Sequence, residues 1–481
     1  MEKVRTRFAP SPTGFMHIGN LRTCLYAYLY AKKRGGTFVL RIEDTDQERY
    51  VEGAVDVIYN TLEKAGINHD EGPDKDGGYG PYIQSERKSL YLDYAKELVD
   101  KGGAYYCFCS KERLDGLKDG NGVAKYDKHC LSLSKAEVEK RLAAGEQYVI
   151  RQNVPTSGVS EYEDMVFGHI AVPNEDMEDN ILIKSDGMPT YNFANVVDDH
   201  LMAINYVIRG VEYLSSTPKY NLMYDSFGWE RPRYMHLSPI MKDAQRKLSK
   251  RYGDANFEDF LDKGYLPKAI VNYIALLGWS PKGNEEKLTM EQLIEQFDVD
   301  GISKSPSIFD EAKMRWLNGE YIKQMSVDEF VEVAKPFFEK SKVKDKYDYK
   351  ALAKLLIPRV EILSEIPEKV DFLEEFGKYD TAMFEHKKMK ITKELAYGNL
   401  LAIRQDFESE DDWRDENLKQ RGMALAEKLG CKSGQIFLPL RLALTGAATT
   451  PGGATEMAEL LGKKESMARL DFSIELLKNE L

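Results

Sequence analysis

Apolar residues follow two alternating rhythms over the first 65 positions. Val4–Ala9 is a short run of strand type. Leu21–Lys33 carries Leu21, Leu25, Tyr28 and Leu29 at helical spacing and stops at Gly35-Gly36. Thr37–Ile42 (TFVLRI) has the texture of a buried strand, and Gly53–Ala65 the spacing of a helix. This βαβα alternation predicts a parallel sheet, whose ligands bind beyond the carboxyl ends of its strands. The loop after Ala9 and the acidic turn Glu43-Asp44-Thr45-Asp46 both belong on that edge.

Ala104–Thr190 changes to short strands, turns and charged helices, and reads as an insertion in the sheet. Within it Asn180–Lys184 and Met188–Asn192, joined by Ser185-Asp186-Gly187, predict a hairpin. Asn205–Arg209 (NYVIR) is again an apolar strand, with Arg209 and Glu212 at its end, and Thr217–Gly228 is helical. From about Phe257 the pattern is helical almost to the end, and Ser326–Leu481 reads as one or two helical bundles. In that part, the charged stretch Asp406–Arg421 reads as a solvated helix face.

A chain of 481 residues is long enough for several domains, and 42% hydrophobic with 30% charged residues is the balance of a globular protein. The net charge of −12 weighs against nucleic acid, yet Arg246–Arg251, Lys340–Lys350 and His386–Lys390 are locally basic. Composition therefore neither requires nor excludes such a partner. No apolar run approaches membrane-spanning length, and Met1–Arg7 leads straight into a strand, so a cytoplasmic protein is expected. Five cysteines in so long a chain do not make a disulfide framework.

Two distant segments carry the chemistry. PSPTGFMHIGN at Pro10–Asn20 is a Gly/Pro/Ser loop between a strand and a helix start, where free N–H groups and the helix dipole favour an anion. Gly14 and Gly19 allow a tight loop and close approach of a flat base, and His17 can donate to a phosphate. RKLSKRYGD at Arg246–Asp254 packs four cations, Arg246, Lys247, Lys250 and Arg251, into six residues. Such a loop suits charge that builds up on a leaving polyphosphate.

FAPSPTGFMHIGNLRT at Phe8–Thr23, LRIEDTD at Leu40–Asp46 and KLSKRYGD at Lys247–Asp254 resemble the class I aminoacyl-tRNA synthetases, in particular the bacterial-type glutamyl-tRNA synthetase family. GPYIQSER at Gly80–Arg87, PTYNFANVVDDHLM at Pro189–Met202, VIRGVEYLSSTPK at Val207–Lys219, RLALTG at Arg441–Gly446 and LLGKKES at Leu460–Ser466 extend the likeness over essentially the whole chain. HIGN stands for the family's HIGH motif, with Asn20 in place of the last histidine, and KLSKR for its KMSKS motif.

The resemblance implies an α/β protein with a Rossmann-like parallel-sheet catalytic domain, an inserted α+β domain and all-α anticodon-binding domains. The expected divisions are 1–103 and 191–240 for the catalytic domain, 104–190 for an insertion that binds the acceptor end, 241–325 for a stem-contact domain with the KLSKR loop, and 326–481 for anticodon binding. It implies an ATP site of Ser11, His17, Gly19, Asn20, Glu212, Lys247, Ser249 and Lys250, with His17, Lys247 and Lys250 catalytic and Mg²⁺ on the phosphates. Arg7, Ser11, Glu43, Tyr191 and Arg209, all at predicted strand ends, offer glutamate what it needs. Two arginines bind its side-chain carboxylate, Glu43 pairs with its ammonium, and Tyr191 hydrogen-bonds the side-chain carboxylate. Such a site should reject the neutral amide. The partners implied are ATP, L-glutamate and tRNA(Glu), on a monomer.

Cys107-Phe-Cys109 places two thiols on one side of an extended segment, and Tyr126 and Cys130 follow after a loop. Some relatives hold zinc here. Cys107, Cys109 and Cys130 with Tyr126 or His129 would make a closed Zn²⁺ site, and free reduced thiols are the alternative. Cys24 and Cys431 lie in helical patterns and read as core. Two other functional readings stand beside the ligase: an enzyme that also glutamylates tRNA(Gln), and an inactive tRNA-binding relative. The intact HIGN and KLSKR segments argue against the second.

Overall fold

In the computed structural model, which describes residues 3–45, 51–117, 125–248, 256–374 and 376–481, the chain opens with a parallel pair. β1 (Arg5–Phe8) and β2 (Thr37–Leu40) run side by side from Arg5 opposite Thr37 to Phe8 opposite Leu40, with α1 (Ile18–Lys33) between them in sequence. Eleven of the sixteen residues of α1 are buried, which makes it an interior helix. α2 (Ala54–Lys64) and α3 (Lys88–Asp100) follow. The described residues divide into an N-terminal unit, Met1–Asp262 with Pro267–Glu311, and a C-terminal unit, Lys263–Leu266 with Ala312–Leu481. No described helix is long and apolar enough to cross a membrane.

In the N-terminal unit β3 (Ala104–Cys107), β4 (Val149–Gln152) and β7 (Ile181–Ile183) form an antiparallel sheet, with α4 (Lys111–Asp115) and α5 (Lys135–Ala143) in the connection between β3 and β4. β5 (Val159–Asp164) and β6 (Gly168–Pro173) form a hairpin inside the stretch read as an insertion. That hairpin joins the main sheet in the order β6-β5-β9-β8, where β8 (Tyr206–Gly210) and β9 (Arg233–Leu237) are parallel. Asp164 of β5 pairs with Tyr234 of β9. Asn205 ties this sheet to β1, its backbone N–H donating to the Arg5 carbonyl and its side-chain oxygen accepting from the Arg5 N–H.

The hairpin predicted over 180–192 is only half formed. The chain returns past β7 through an isolated pair at Ile183 and Pro189, and α6 (Tyr191–Leu201) begins where a strand was expected. Phe193, Ala194, Val196 and Val197 are buried against Tyr91 of α3 and Tyr220, Met223 and Tyr224 of α7 (Thr217–Phe227). Packing of that helical face prevails over the local strand pattern.

The C-terminal unit is helical, including Val327–Phe338 behind a Ser326–Glu329 capping box, Lys393–Glu408, Asp415–Lys428, Gly434–Thr445 and the stretch Ala454–Lys478, which breaks into two helices at Gly462. Leu400, Ile403, Phe407, Leu418, Leu440 and Leu470 are central to its core. The charged stretch 406–421 is not one helix face. One helix ends at Glu408, the next starts at Asp415, and Arg421 reaches back to Asp406 and Glu410. Cys24 is buried in α1 as expected, but Cys431 sits half-buried in the turn after the Asp415–Lys428 helix.

Candidate active site

The loop that leaves β1 turns at Gly14, whose φ of 110° lies in the region only glycine adopts freely. It ends on His17, the N-cap of α1, whose Nδ1 accepts the Gly19 N–H at 3.0 Å. A Cβ at Gly19 would lie 3.1 Å from that Nδ1, so the glycine makes room for the cap itself. An imidazole that accepts at Nδ1 carries its proton on Nε2, which is then a donor. No acidic residue stands in the first turn of α1, so the positive end of its dipole is not offset there.

A cavity of about 840 Å³ opens at this edge of the sheet. It brings together Ser11, His17, Gly19 and Asn20 from the loop and helix start, Arg7 from β1, Glu43 beyond β2, Tyr191 from α6, Arg209 and Glu212 around the end of β8, and Lys247. Ser249 and Lys250 lie outside the described residues. Lys247 is held by a short return in which Met241 pairs with Lys247 and the Leu248 N–H donates to the Ile240 carbonyl. Gly210 lets the Glu212 carboxylate fold back over the backbone: a Cβ there would meet it at 2.2 Å and turn that side chain away.

Under the cavity lies a closed set of charges. Arg7 Nε and Arg41 Nη1 donate to Asp199 Oδ1 at 3.1 and 2.8 Å, and Arg41 Nη2 donates to Glu43 Oε1 at 2.9 Å. Asp198 takes Arg87 Nε at 2.7 Å, Gln84 Nε2 at 2.8 Å and the Tyr91 hydroxyl at 2.9 Å. Three arginines and three carboxylates, all buried, cancel. Burial works to raise the Asp199 pKa, but Arg7 and Arg41 outweigh it and hold the group below the usual carboxylate range. At Glu43 burial prevails over Arg41, and its pKa is raised. The described bonds to Glu43 all go to Oε1, which leaves Oε2 for a ligand.

Arg209 is different. It is buried, yet no described carboxylate touches it. Its Nε donates to His236 Nε2 at 3.2 Å and its Nη2 to Thr217 Oγ1 at 2.6 Å, while the rings of Tyr213, Tyr220 and Tyr234 lie 5.1, 4.8 and 5.3 Å from its guanidinium carbon. Of the five N–H donors of a guanidinium, three stay available. Tyr191, whose pKa burial pushes well up, keeps a neutral hydroxyl in the same cavity. The cavity can therefore seat a zwitterion with an extra carboxylate, beside a helix N-terminus suited to phosphate.

The sequence reading omitted Arg41, Asp198, Asp199, Gln84, Asp164 and His236 from the site. A signal existed for some of them. An arginine inside the apolar run 37–42, and two adjacent aspartates inside the apolar helix 191–201, are costly to bury unless they meet opposite charge.

The ligand atoms of Cys107, Cys109 and Cys130 lie within 4.8 Å of one another. The Tyr126 hydroxyl is 3.2 Å from Cys107 Sγ and 3.4 Å from Cys109 Sγ, whereas His129 is exposed on the adjoining turn. Three thiols and one phenol converging on a point fit a closed four-coordinate metal site. Burial pushes the Cys109 thiol up to about 11; at Cys107 burial is outweighed by bonds from Tyr126 and Arg151, and the pKa is lowered. A further cavity, about 990 Å³ in the C-terminal unit, is lined by Lys346, Asp348, Lys354, Glu456, Glu459 and Arg469 among others and contains none of the expected site residues.

Comparison with known proteins agrees with this geometry. Residues 3–316 match the family of tRNA synthetases class I (E and Q), catalytic domain, and residues 329–474 match an anticodon binding domain. The chain is 58% identical to the glutamate–tRNA ligase of Clostridium botulinum (strain Eklund 17B / Type B), over 99% of each chain. It is 56% identical to that of Clostridium novyi (strain NT), over 100% of this chain and 99% of the relative. The crystal structure of a glutamate tRNA ligase from Elizabethkingia meningosepticum CCUG26117 in complex with its amino acid superposes with a TM-score of 0.88 at 34% identity, covering 99% of this chain and 100% of that one. With catalytic and anticodon-binding regions both matched over the full length, the chain belongs to the glutamate–tRNA ligases, a family of class I aminoacyl-tRNA synthetases.

Proposed function

We infer that this protein activates L-glutamate with ATP and transfers it to the 3′ end of tRNA(Glu). The glutamate α-carboxylate attacks the α-phosphorus of ATP, the bond to the β-phosphate oxygen breaks, and pyrophosphate leaves with the electron pair. A terminal-ribose hydroxyl of the tRNA then attacks the glutamyl carbonyl, loses its proton and releases AMP. The observation that carries this reading is the contrast between the charges beneath the cavity and the arginine in its lining. The Arg7, Arg41, Arg87, Asp198, Asp199 and Glu43 set is balanced, and Arg209 is a buried cation with neutral partners.

Glutamate brings the carboxylate that Arg209 lacks in direct contact. Its ammonium pairs with Glu43 Oε2, and its side-chain carboxylate takes the open N–H groups of Arg209, with Arg7 and Tyr191 beside it. Glutamine would leave Arg209 buried without a counter-charge, which is the basis for rejecting it. Ser11, Gly19, Asn20 and Glu212 border the nucleotide, while His17 Nε2–H, Lys247, Ser249 and Lys250 stabilise charge on the phosphates. Mg²⁺ bound with ATP supplies further neutralisation of the polyphosphate. Cys107, Cys109, Cys130 and Tyr126 would hold Zn²⁺ as a structural ion.

In this reading 1–103 and 191–240 carry the catalytic sheet, to which the 159–173 hairpin adds two strands, the rest of 104–190 receives the acceptor end, 241–325 touches the stem and 326–481 reads the anticodon. The family matches over 3–316 and 329–474 support the last of these boundaries, the one before the anticodon-binding part. ATP and tRNA are cytoplasmic substrates, and the enzyme is read as a cytoplasmic monomer. The decisive experiment is aminoacylation of purified tRNA(Glu) and tRNA(Gln) with labelled glutamate. Charging of tRNA(Glu) alone is expected; equal charging of both makes the enzyme non-discriminating, and charging of neither sinks the reading.

A further inference from the structure

The bonds around Arg209 fix more than its position. His236 lies in β9 with its side chain fully buried, and its Nδ1 is 2.6 Å from Asp164 Oδ2, also fully buried. Asp164 is itself immobilised by backbone donors. Its Oδ1 accepts the N–H groups of Val166 and Phe167 at 2.9 and 2.8 Å, and its Oδ2 accepts the His236 N–H at 3.2 Å. Arg209 Nε can only donate, so the His236 Nε2 it touches must be a lone pair. The imidazole proton is therefore on Nδ1 and is given to Asp164. Thr217 completes the arrangement, accepting from Arg209 Nη2 and donating to the Tyr213 carbonyl at 2.7 Å.

We propose that Asp164 and His236 are positioning residues for substrate selection, which orient the Arg209 guanidinium while leaving its charge for the substrate carboxylate. The proposal rests on the reading that Arg209 receives that carboxylate. Its physical content lies in the imidazole between the two charges. A carboxylate placed directly on Arg209 would orient it equally well, but would cancel the charge that distinguishes glutamate from glutamine and occupy donors the substrate needs. A hydrophobic neighbour would leave the charge intact but give the guanidinium no direction. A neutral imidazole with a fixed tautomer transmits orientation from Asp164 without transmitting its neutralising contact. It engages Nε and leaves the Nη1 pair open.

Two substitutions separate the ring nitrogens. In His236→Gln the longer amide can offer its oxygen where Nε2 stood, and in His236→Asn the shorter amide can keep the bond to Asp164 but does not reach Arg209. Steady-state pyrophosphate exchange in the presence of tRNA should show KM for glutamate raised about tenfold to a hundredfold in His236→Asn, the loss of one hydrogen bond to a charged group. KM for ATP should stay within about twofold of wild type, and His236→Gln should recover most of the glutamate affinity. Equal KM for glutamate in both variants and the wild type overturns the proposal, as does a matched rise in both KM values or equal loss in the two variants. Arg209→Gln, measured alongside, isolates the underlying reading: unchanged glutamate KM there removes the premise, whereas a large rise with no His236→Asn effect removes only the positioning role. Thermal unfolding of each variant identifies a fold defect, and a His236→Gln enzyme that is folded but no better than His236→Asn also counts against the proposal.

Discussion

Two buried arginines, Arg41 beneath the cavity and Arg209 in its lining, meet opposite fates. Arg41 is wholly consumed by protein carboxylates, touching Asp199, Glu43 and Asp198. Arg209 is held by a histidine, a threonine and aromatic faces, none of which carries negative charge. The first arrangement is a scaffold: removing one member strands a charge in a dry interior. The second is a receptor whose missing counter-charge arrives with the substrate. Similar residues, similarly buried, thus divide into structure and recognition according to who supplies the anion.

That division can be broken experimentally. Asp199→Asn should cost about 3–5 kcal/mol of global stability by denaturant unfolding, because Arg7 and Arg41 lose a shared partner. The folded Asp199 pKa lies below its unfolded value, so the wild-type contribution is complete above the carboxylate range and disappears as pH falls through the folded pKa. The variant should accordingly lose less stability than wild type on acidification; parallel acid curves would contradict the scaffold role.

Arg209→Gln should do the reverse. We expect a melting temperature close to wild type and a fall of about 10²–10³-fold in kcat/KM for glutamate, the loss typical of a buried charged contact. A variant that unfolds early while keeping its glutamate KM would erase the contrast. Lys250→Ala should lower activation by a similar roughly 10²–10³-fold and leave tRNA binding by filter retention intact. A smaller effect is expected for Cys130→Ser, in which metal analysis should show no zinc and glutamate KM should stay within about twofold, since a structural ion acts on stability and not on the pocket. Zinc content equal to wild type in that variant would exclude the thiol site. The smallest change, Thr217→Val, removes one of the two bonds that orient Arg209 and should raise glutamate KM by roughly threefold to tenfold.

How much of this was readable beforehand depends on distance along the chain. The strand, loop and helix of 4–33 were legible because their apolar spacing and the His17 cap are local. The expected pocket residues Arg7, Glu43, Tyr191 and Arg209 converge on one cavity. Their paired partners were not legible. Arg41 and Asp199 are 158 positions apart, and His236 and Asp164 are 72 apart, so nothing in either segment announces the other. Met188–Asn192 misled for a related reason. Its local pattern suits a strand, and only the buried face of α6 against α3 and α7 makes Tyr191 the start of a helix.

Asp164 is the last residue of β5, the strand by which the 159–173 hairpin joins the main sheet opposite Tyr234. The same carboxylate that marks this junction also anchors His236. The residue that joins the hairpin to the sheet therefore also anchors the imidazole beneath the receptor arginine, across 72 positions of sequence. Under the proposed role of Asp164, discrimination against the wrong amino acid is thus tied to a junction between strands and not to the pocket residues alone.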